Sequence, residues 1–354
     1  MTASVAPVLR GDHTPAAVGS VNLSPVSVAY NPNRKPGVRV VVPASTANLG
    51  PGFDVLALTL DLVNTFDVWE EGEGLRLEVS GEGEGTLPLD GSNLFALTLN
   101  TFFTLAGYQP PGLLIRLQNK IPLARGLGSS ASVIVGALLA ARYLSGYAMD
   151  DDRLLDMAAS LEGHADNVAA AYRGGCVLVI PEEDGRHTVR KIIWPQRLGC
   201  ALFVPELLVS TESAREVLPE GYRTQEVLYN LARVALFISA LQEQRLEDLR
   251  LAMEDKLHQP WRAQLVPGMD VIMGAAVLAG AAGACLSGAG PTILALYDRG
   301  AAGSANRGES IANAMKRAAA QFGVDGRTMA VDSRVMGAEF RALQTDPSGT
   351  ALVR

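Results

Sequence analysis

Cysteine is scarce in this 354-residue chain. Cys176, Cys200 and Cys285 are odd in number and far apart, so neither a disulfide framework nor a cysteine zinc site follows. The four histidines, His13, His164, His187 and His258, show no H-E-x-x-H or similar metal spacing. A basic excess is missing too: 30 Lys and Arg stand against 37 Asp and Glu, which excludes the positive footprint of a nucleic-acid binder. An unbroken membrane-length apolar run is also absent. The longest uncharged stretch, residues 271–297, is interrupted by "SGAGPT", which would unpair backbone groups in lipid. It predicts a buried helix, a loop and a strand, with no membrane partner. Unpaired cysteines point to a reducing, cytoplasmic setting.

What is present is an ordinary globular composition, 48% hydrophobic and 19% charged, in a chain long enough for two domains. Residues 1–37 carry five prolines and no apolar periodicity, and read as a flexible extension. Folded sequence begins at the valine-rich strand "GVRVVVPAS". Strands "FDVWEE", "LRLEVSG" and "GLLIRLQNKI" alternate with helices "SNLFALTLNTFFTLAG" and "SSASVIVGALLAARYLSG". A helical stretch from residue 151 is interrupted at "GHADN". A second block, residues 191–342, mixes strands "CALFVPE", "TILALYD" and "TMAVD" with long helices, which predicts an α+β sandwich on a largely antiparallel sheet. Residues 343–354 read as a tail.

The chemistry concentrates at "PLARGLGSSAS", residues 122–132, where small residues strip the backbone bare just before an apolar helix. A glycine loop opening a helix offers free N–H groups and a positive dipole end, which favour phosphate. No lysine follows Gly128, so the Walker A loop fails. "GLGSSA" fits the loose dinucleotide fingerprint, but the acidic cluster at residues 150–152 opens a helix instead of ending a strand. A tight packing turn would explain the glycines equally well.

The stretch also matches P-x-x-x-G-L-G-S-S-A of the GHMP kinases, with Pro122, Gly126, Leu127, Gly128, Ser129, Ser130 and Ala131 in place. Leu123, Ala124 and Arg125 fill the variable positions, and Ser132 stands where the family often carries alanine. A second stretch, "VPASTANLGPGFDVLAL", resembles the homoserine-phosphorylating branch of that family. A third, "LSGAGPTILAL", resembles the glycine segment that closes over the phosphate loop. The motifs occur in family order between about residues 38 and 342. The resemblance implies a domain like the second domain of ribosomal protein S5 over residues 38–190, then a ferredoxin-like domain over residues 191–342. It further implies an active site between them, and a homodimer.

Residue roles follow from the same resemblance. Residues 122–132 would bind ATP, with Asn93 against the adenine. Glu162 and Ser130 would hold magnesium, which takes few protein ligands and keeps several waters. Arg215 and Arg262 suit the carboxylate of an amino-acid substrate through paired hydrogen bonds. Asp54 would meet its ammonium, Asn48 would add hydrogen bonds, and His164 would lie near the substrate. Asp166 and Asn167 stand where some members place a catalytic base; in this branch the ATP γ-phosphate could take the hydroxyl proton itself, since phosphoryl transfer needs little nucleophile activation. The implied reaction is ATP-dependent phosphorylation of L-homoserine, with L-threonine as a competitor. The rivals are a kinase of another small alcohol and a non-catalytic nucleotide-binding sensor.

Overall fold

The computed structural model describes residues 37–300 and 306–343. Almost all of the expected extension and of the expected tail lies outside the described residues.

Two mixed layers meet across a shared core. The first sheet comprises β1 (Val38–Asn48), β2 (Gly52–Glu70), β3 (Gly74–Gly81), β4 (Gly112–Asn119), β5 (Cys176–Pro181) and β6 (His187–Ile192). Helices α1 (Leu94–Ala106), α2 (Ser129–Ser145), α3 (Asp151–Glu162) and α4 (Asp166–Arg173) are threaded among these strands. The second layer is built on β7 (Leu198–Pro205), β8 (Gly283–Leu286), β9 (Ile293–Asp298) and β10 (Gly326–Val331). Its helices are α5 (Thr211–Glu216), α6 (Thr224–Glu243), α7 (Leu249–Ala252), α8 (Gln259–Arg262), α9 (Met269–Leu278) and α10 (Arg307–Ala320). A last strand, β11 (Glu339–Ala342), ends the described chain.

The second sheet has the order β10-β7-β9-β8, every pairing antiparallel. In chain order that is 4-1-3-2, the expected ferredoxin-like arrangement. The first sheet runs β11-β1-β2-β4-β3, with β5 on β2 and β6 on β5, and only β3 and β4 are parallel. The expected boundary at residues 190/191 therefore needs correction. It cuts through β6, and β11 returns from the second layer to pair with β1. Strand alternation says which face a residue takes, not which sheet receives the strand.

A bulge distributes the core. Val38, Val40 and Val42 of β1 share a core with Phe66, Phe95 and Leu138, and α2 and α4 lie against the strand. The register shifts between Pro43 and Ala44, and Ala44 then faces the other way, with Leu56, Leu58 and Leu60. Pro43 pairs with Val63 and Ala44 with Leu60, so two residues of β2 bulge out here and the side chains beyond them turn to the other face. That second face meets Leu198, Cys200 and Leu202 of β7 and Phe237 of α6, which joins the two layers. Alternate residues of β7, Ala201 and Phe203, face α9 and α10. The residue 271–297 stretch resolves into α9, β8, a loop and β9, one strand more than expected. Among the described residues no helix is long and apolar enough to cross a membrane.

Asn64 of β2 was not singled out from the sequence, yet it fixes the entry to the glycine loop. Its Oδ1 accepts from the N–H groups of Lys120 and Ile121 at 2.8 and 3.0 Å, and its Nδ2 donates to Ser132 Oγ at 2.9 Å. The residue is fully buried. Asn64→Ala would strand these partners, and each buried group left unpaired costs about 1–3 kcal/mol. We expect the urea midpoint of Asn64→Ala to fall accordingly with an unchanged denaturant slope.

Candidate active site

The strongest local feature is the start of α2. Its N-cap is Gly128, in the left-handed region and without a side-chain cap. The first helical hydrogen bond runs from Ser132 N to Gly128 O, so the N–H groups of Ser129, Ser130 and Ala131 have no helical acceptor. Three free donors and the helix dipole converge on one point, an arrangement suited to an anion.

The bare backbone has a second cause. A Cβ on Gly126 would stand 2.2 Å from Ser287 O, and one on Gly128 would stand 2.1 Å from Ser45 Oγ. Ser287 donates its hydroxyl to Gly126 O at 2.6 Å. The loop between β8 and β9 thus presses directly on the glycine loop, as its motif led us to expect. These two glycines make room for protein atoms as well as for a ligand.

A cavity of about 530 Å³ opens in front of α2. Leu123, Ala124, Arg125, Gly126, Leu127, Gly128, Ser129 and Ser130 line it, but Pro122, Ala131 and Ser132 do not. All three are buried. Ala131 is core, and Ser132 spends its hydroxyl on Ser129 O while accepting from Asn64. Asn93 lines the cavity with its side chain already engaged. It caps α1 by accepting from Phe95 N at 2.9 Å and donates to Pro88 O at 2.8 Å.

The interruption at residues 163–165 turns the chain so that three titratable groups gather beside α2. Glu162, the last residue of α3, accepts from Ser130 Oγ at 2.5 Å. Burial raises the Glu162 carboxyl above the ordinary range; the Ser130 hydrogen bond and the His164 charge oppose this, and Asp166 adds to it. His164 Nδ1 lies 2.9 Å from Asp166 Oδ1, and Nε2 lies 3.7 Å from Glu162 Oε1. Burial alone would lower the imidazole, but the Asp166 hydrogen bond and the two carboxylate charges outweigh it and hold His164 above its ordinary value. Asp166 Oδ1 also accepts from Asn167 N at 2.6 Å. Asn167 Oδ1 accepts from Ser45 Oγ at 2.8 Å, directly behind Gly128.

The opposite wall carries the charged anchors. Asp54 Oδ1 and Oδ2 accept from Arg215 Nη2 and Nη1 at 3.0 and 3.1 Å, a paired contact near the end of α5. Asn48 Oδ1 accepts from Asp54 N, and Asn48 Nδ2 donates to Gly288 O at 2.8 Å. Arg262 is almost completely buried. Burial lowers its guanidinium below the ordinary arginine value; Asp54 opposes the shift and Arg215 adds to it. The structure therefore brings Asn48, Asp54, His164, Arg215 and Arg262 to one cavity with Glu162, Asp166 and Asn167.

Ser130 Oγ and Glu162 Oε1 are hard oxygen donors, and a divalent cation between them would offset the cost of burying the carboxylate. No group of three or more His, Cys, Asp or Glu that could hold a metal occurs among the described residues. A cation here would draw its other ligands from phosphate and water. Sequence reading missed Ser45, Phe53, His258 and Ser287 as parts of the site's frame. The i, i+4 spacing of His258 and Arg262 was the available signal.

Comparisons with known proteins agree with this geometry. Residues 93–175 match the GHMP kinases N terminal domain and residues 237–321 the GHMP kinases C terminal model. A homoserine kinase of Caldanaerobacter subterraneus is 45% identical over 73% of this chain and 83% of its own. One from Trichormus variabilis is 38% identical over 84% and 97%. The crystal structure of homoserine kinase from Cytophaga hutchinsonii superposes with a TM-score of 0.76 at 29% identity, covering 88% of this chain and 99% of that one. A mevalonate kinase structure, at 15% identity and a TM-score of 0.59, shares the fold.

Gly128→Ala should injure both the fold and the anion site. A non-glycine residue held in a sparsely populated backbone region costs about 1–3 kcal/mol. The added methyl must also displace Ser45 or shift α2. We expect a lower melting temperature and weaker ATP binding in a fluorescence titration.

Proposed function

The chain belongs to the homoserine kinases of the GHMP kinase family, and we infer that it transfers the γ-phosphate of ATP to the side-chain hydroxyl of L-homoserine. The products are O-phospho-L-homoserine and ADP. One observation carries the substrate assignment: Arg215, Arg262 and Asp54 stand in the same cavity as the uncapped start of α2. Two cations and an anion suit the carboxylate and ammonium of an amino acid, and no sugar or mevalonate would need all three.

In this reading ATP lays its phosphates along residues 123–130, and the N–H groups of Ser129, Ser130 and Ala131 take up their charge. Asn93 sits on the wall assigned to adenine. Ser130 and Glu162 would hold magnesium, which would neutralise phosphate charge. Arg215 and Arg262 hold the substrate carboxylate, and Asp54, with Asn48 behind it, takes the ammonium. Asp54 and Arg215, paired with one another, then exchange one partner each for the two ends of the amino acid. His164 completes the substrate's surroundings.

Asp166 Oδ1 is committed to His164 and to Asn167 N, so Asp166 orients the imidazole, and Asn167 braces the glycine loop through Ser45. The homoserine oxygen forms the new P–O bond as the bond to the β-phosphate oxygen breaks. The hydroxyl proton passes to a phosphoryl oxygen. Catalysis rests on alignment and on charge stabilisation by the loop amides.

The enzyme is proposed to be a cytoplasmic homodimer. Val227, Leu228 and Leu231 form an exposed apolar strip on α6 that a second copy would cover, and three buried unpaired thiols suit a reducing compartment.

A coupled ADP-release assay with homoserine, mevalonate and galactose tests the assignment. Turnover should require homoserine, and equal rates with the other alcohols would overturn it. In the same assay Glu162→Gln should lower kcat by about 10²–10³-fold, the usual loss on removing one transition-state stabiliser. The KM for ATP should move far less. L-Threonine should compete with homoserine while releasing little ADP. Its carboxylate and ammonium fit the same anchors, but its hydroxyl lies one carbon nearer the α-carbon, and a misplacement of about 1 Å can cost about 10²-fold in rate. Initial rates over a grid of both amino acids distinguish competition from a separate inhibitory site.

A further inference from the structure

His258 has no part in the assignments above, yet it is completely buried between the two groups of substrate anchors. We propose that His258 is a positioning residue for substrate recognition: as a neutral imidazole in a single tautomer, it holds the Arg262 guanidinium and the residue 49–51 turn in one fixed relation. The proposal rests on the reading that Arg262 meets the homoserine carboxylate.

Hydrogen-bond chemistry assigns the tautomer. His258 Nε2 lies 2.7 Å from Gly50 O, and a carbonyl only accepts, so Nε2 carries the hydrogen. Nδ1 lies 3.2 Å from Arg262 Nη1, and a guanidinium only donates, so Nδ1 presents its lone pair. Protonation would set an N–H against the guanidinium. Burial pushes His258 below its ordinary value; the Asp255 charge acts against this, and Arg262 adds to it.

The groups facing the ring support the same state. Asp255 Oδ2 is 3.7 Å from Nε2, but its carboxylate already accepts from Asn230 Nδ2 and from the N–H groups of Leu257, His258 and Gln259. Phe53 stacks on the imidazole with centroids 5.3 Å apart, and Arg215 and Arg262 flank that phenyl ring at 5.9 and 5.4 Å. Asp54 lies beyond it, paired with Arg215.

The donors of Arg262 show what the imidazole does. Nε donates to Ala214 O at 3.0 Å, and Nη1 divides between Gly288 O at 3.1 Å and His258 Nδ1. Nη2 meets no acceptor among the described residues, and Arg262 lines the cavity. Holding Nε and Nη1 aims Nη2 at the ligand. The turn is gripped beside it, because Asn230 of α6 donates to Pro51 O, the carbonyl next to Gly50.

Two substitutions separate the bonds. His258→Gln can keep a donor near the Nε2 position but takes the imidazole acceptor from Arg262 Nη1, which keeps only Gly288 O. His258→Asn can keep an acceptor near the Nδ1 position but drops the Gly50 bond. We expect His258→Gln to raise the homoserine KM about tenfold or more, as loss of a charge-assisted hydrogen bond does. The ATP KM and kcat should stay within about twofold, and His258→Asn should raise the homoserine KM by a clearly smaller factor. Equal shifts in the two variants, or a fall in kcat with KM unmoved, would overturn the proposal. If either variant fails to fold, long-range ¹H–¹⁵N correlation on the histidine-labelled wild type decides. A neutral Nε2–H His258 at pH 7 supports the proposal, and an imidazolium or Nδ1–H form refutes it. Wild-type protein without homoserine-dependent ADP release would instead refute the functional reading, a separate failure.

Discussion

The close approach of two backbones, the residue 287–290 loop of the second layer and the glycine loop of the first, is the constraint on which the site depends. No Cβ fits on Gly126 against Ser287 O, and Ser287 Oγ bonds Gly126 O and Thr46 Oγ1 together. One residue on, Gly288 O accepts from both Asn48 and Arg262. A single carbonyl thus receives one side chain from each layer. Gly288 N closes the contact by donating to Ala47 O at 3.0 Å. The glycine loop, Asn48 and Arg262, to which we assign phosphate, ammonium side and carboxylate, are all referenced to the same four residues.

Charge is distributed unequally over this frame. Arg215 and Asp54 are each more than a third exposed and satisfy one another, so their exchange with a zwitterion costs little desolvation. Arg262 is buried, and its lowered pKa records the cost of placing a cation there. Carbonyls and a neutral imidazole hold it without discharging it. A carboxylate partner would have cancelled the charge that the substrate must meet. Glu162 is the converse case, a buried anion whose raised pKa makes its pocket favourable to a cation.

The parts legible from sequence were those encoded in contiguous residues. The glycine loop, the interruption between α3 and α4 and the apolar strand β7 each depend on neighbours in the chain, and each lies where local chemistry put it. The family motifs brought Asp54, Glu162, Arg215 and Arg262 to one cavity despite more than two hundred residues of separation. Local pattern could not say that β11 returns to the first sheet, since four exposed residues have no preferred partner until the layers exist. Asn64 was equally hidden. A lone asparagine in a strand looks like a surface residue unless one knows that two backbone N–H groups end opposite it. Pro122 and Ser132 are buried beside the loop, where motif membership marks a structural need as readily as a ligand contact.

The frame also explains how an alignment-dependent reaction becomes selective. The N–H groups proposed to meet phosphate come from α2 in the first layer, while Arg215 and Arg262 come from α5 and α8 in the second. The distance from carboxylate anchor to phosphoryl group is therefore a distance between layers. It is set by the apolar contact of β1 and β2 with β7 and α6, and by the carbonyl bridge at Gly288. Packed interiors resist compression, so this span behaves as a fixed length. An amino acid whose hydroxyl reaches across it is placed in line without spending binding energy on distortion. A shorter one keeps its anchors and leaves its oxygen behind. Selectivity by reach needs no residue touching the hydroxyl, and so it is carried by the core and the interlayer bridge as much as by the side chains of the cavity.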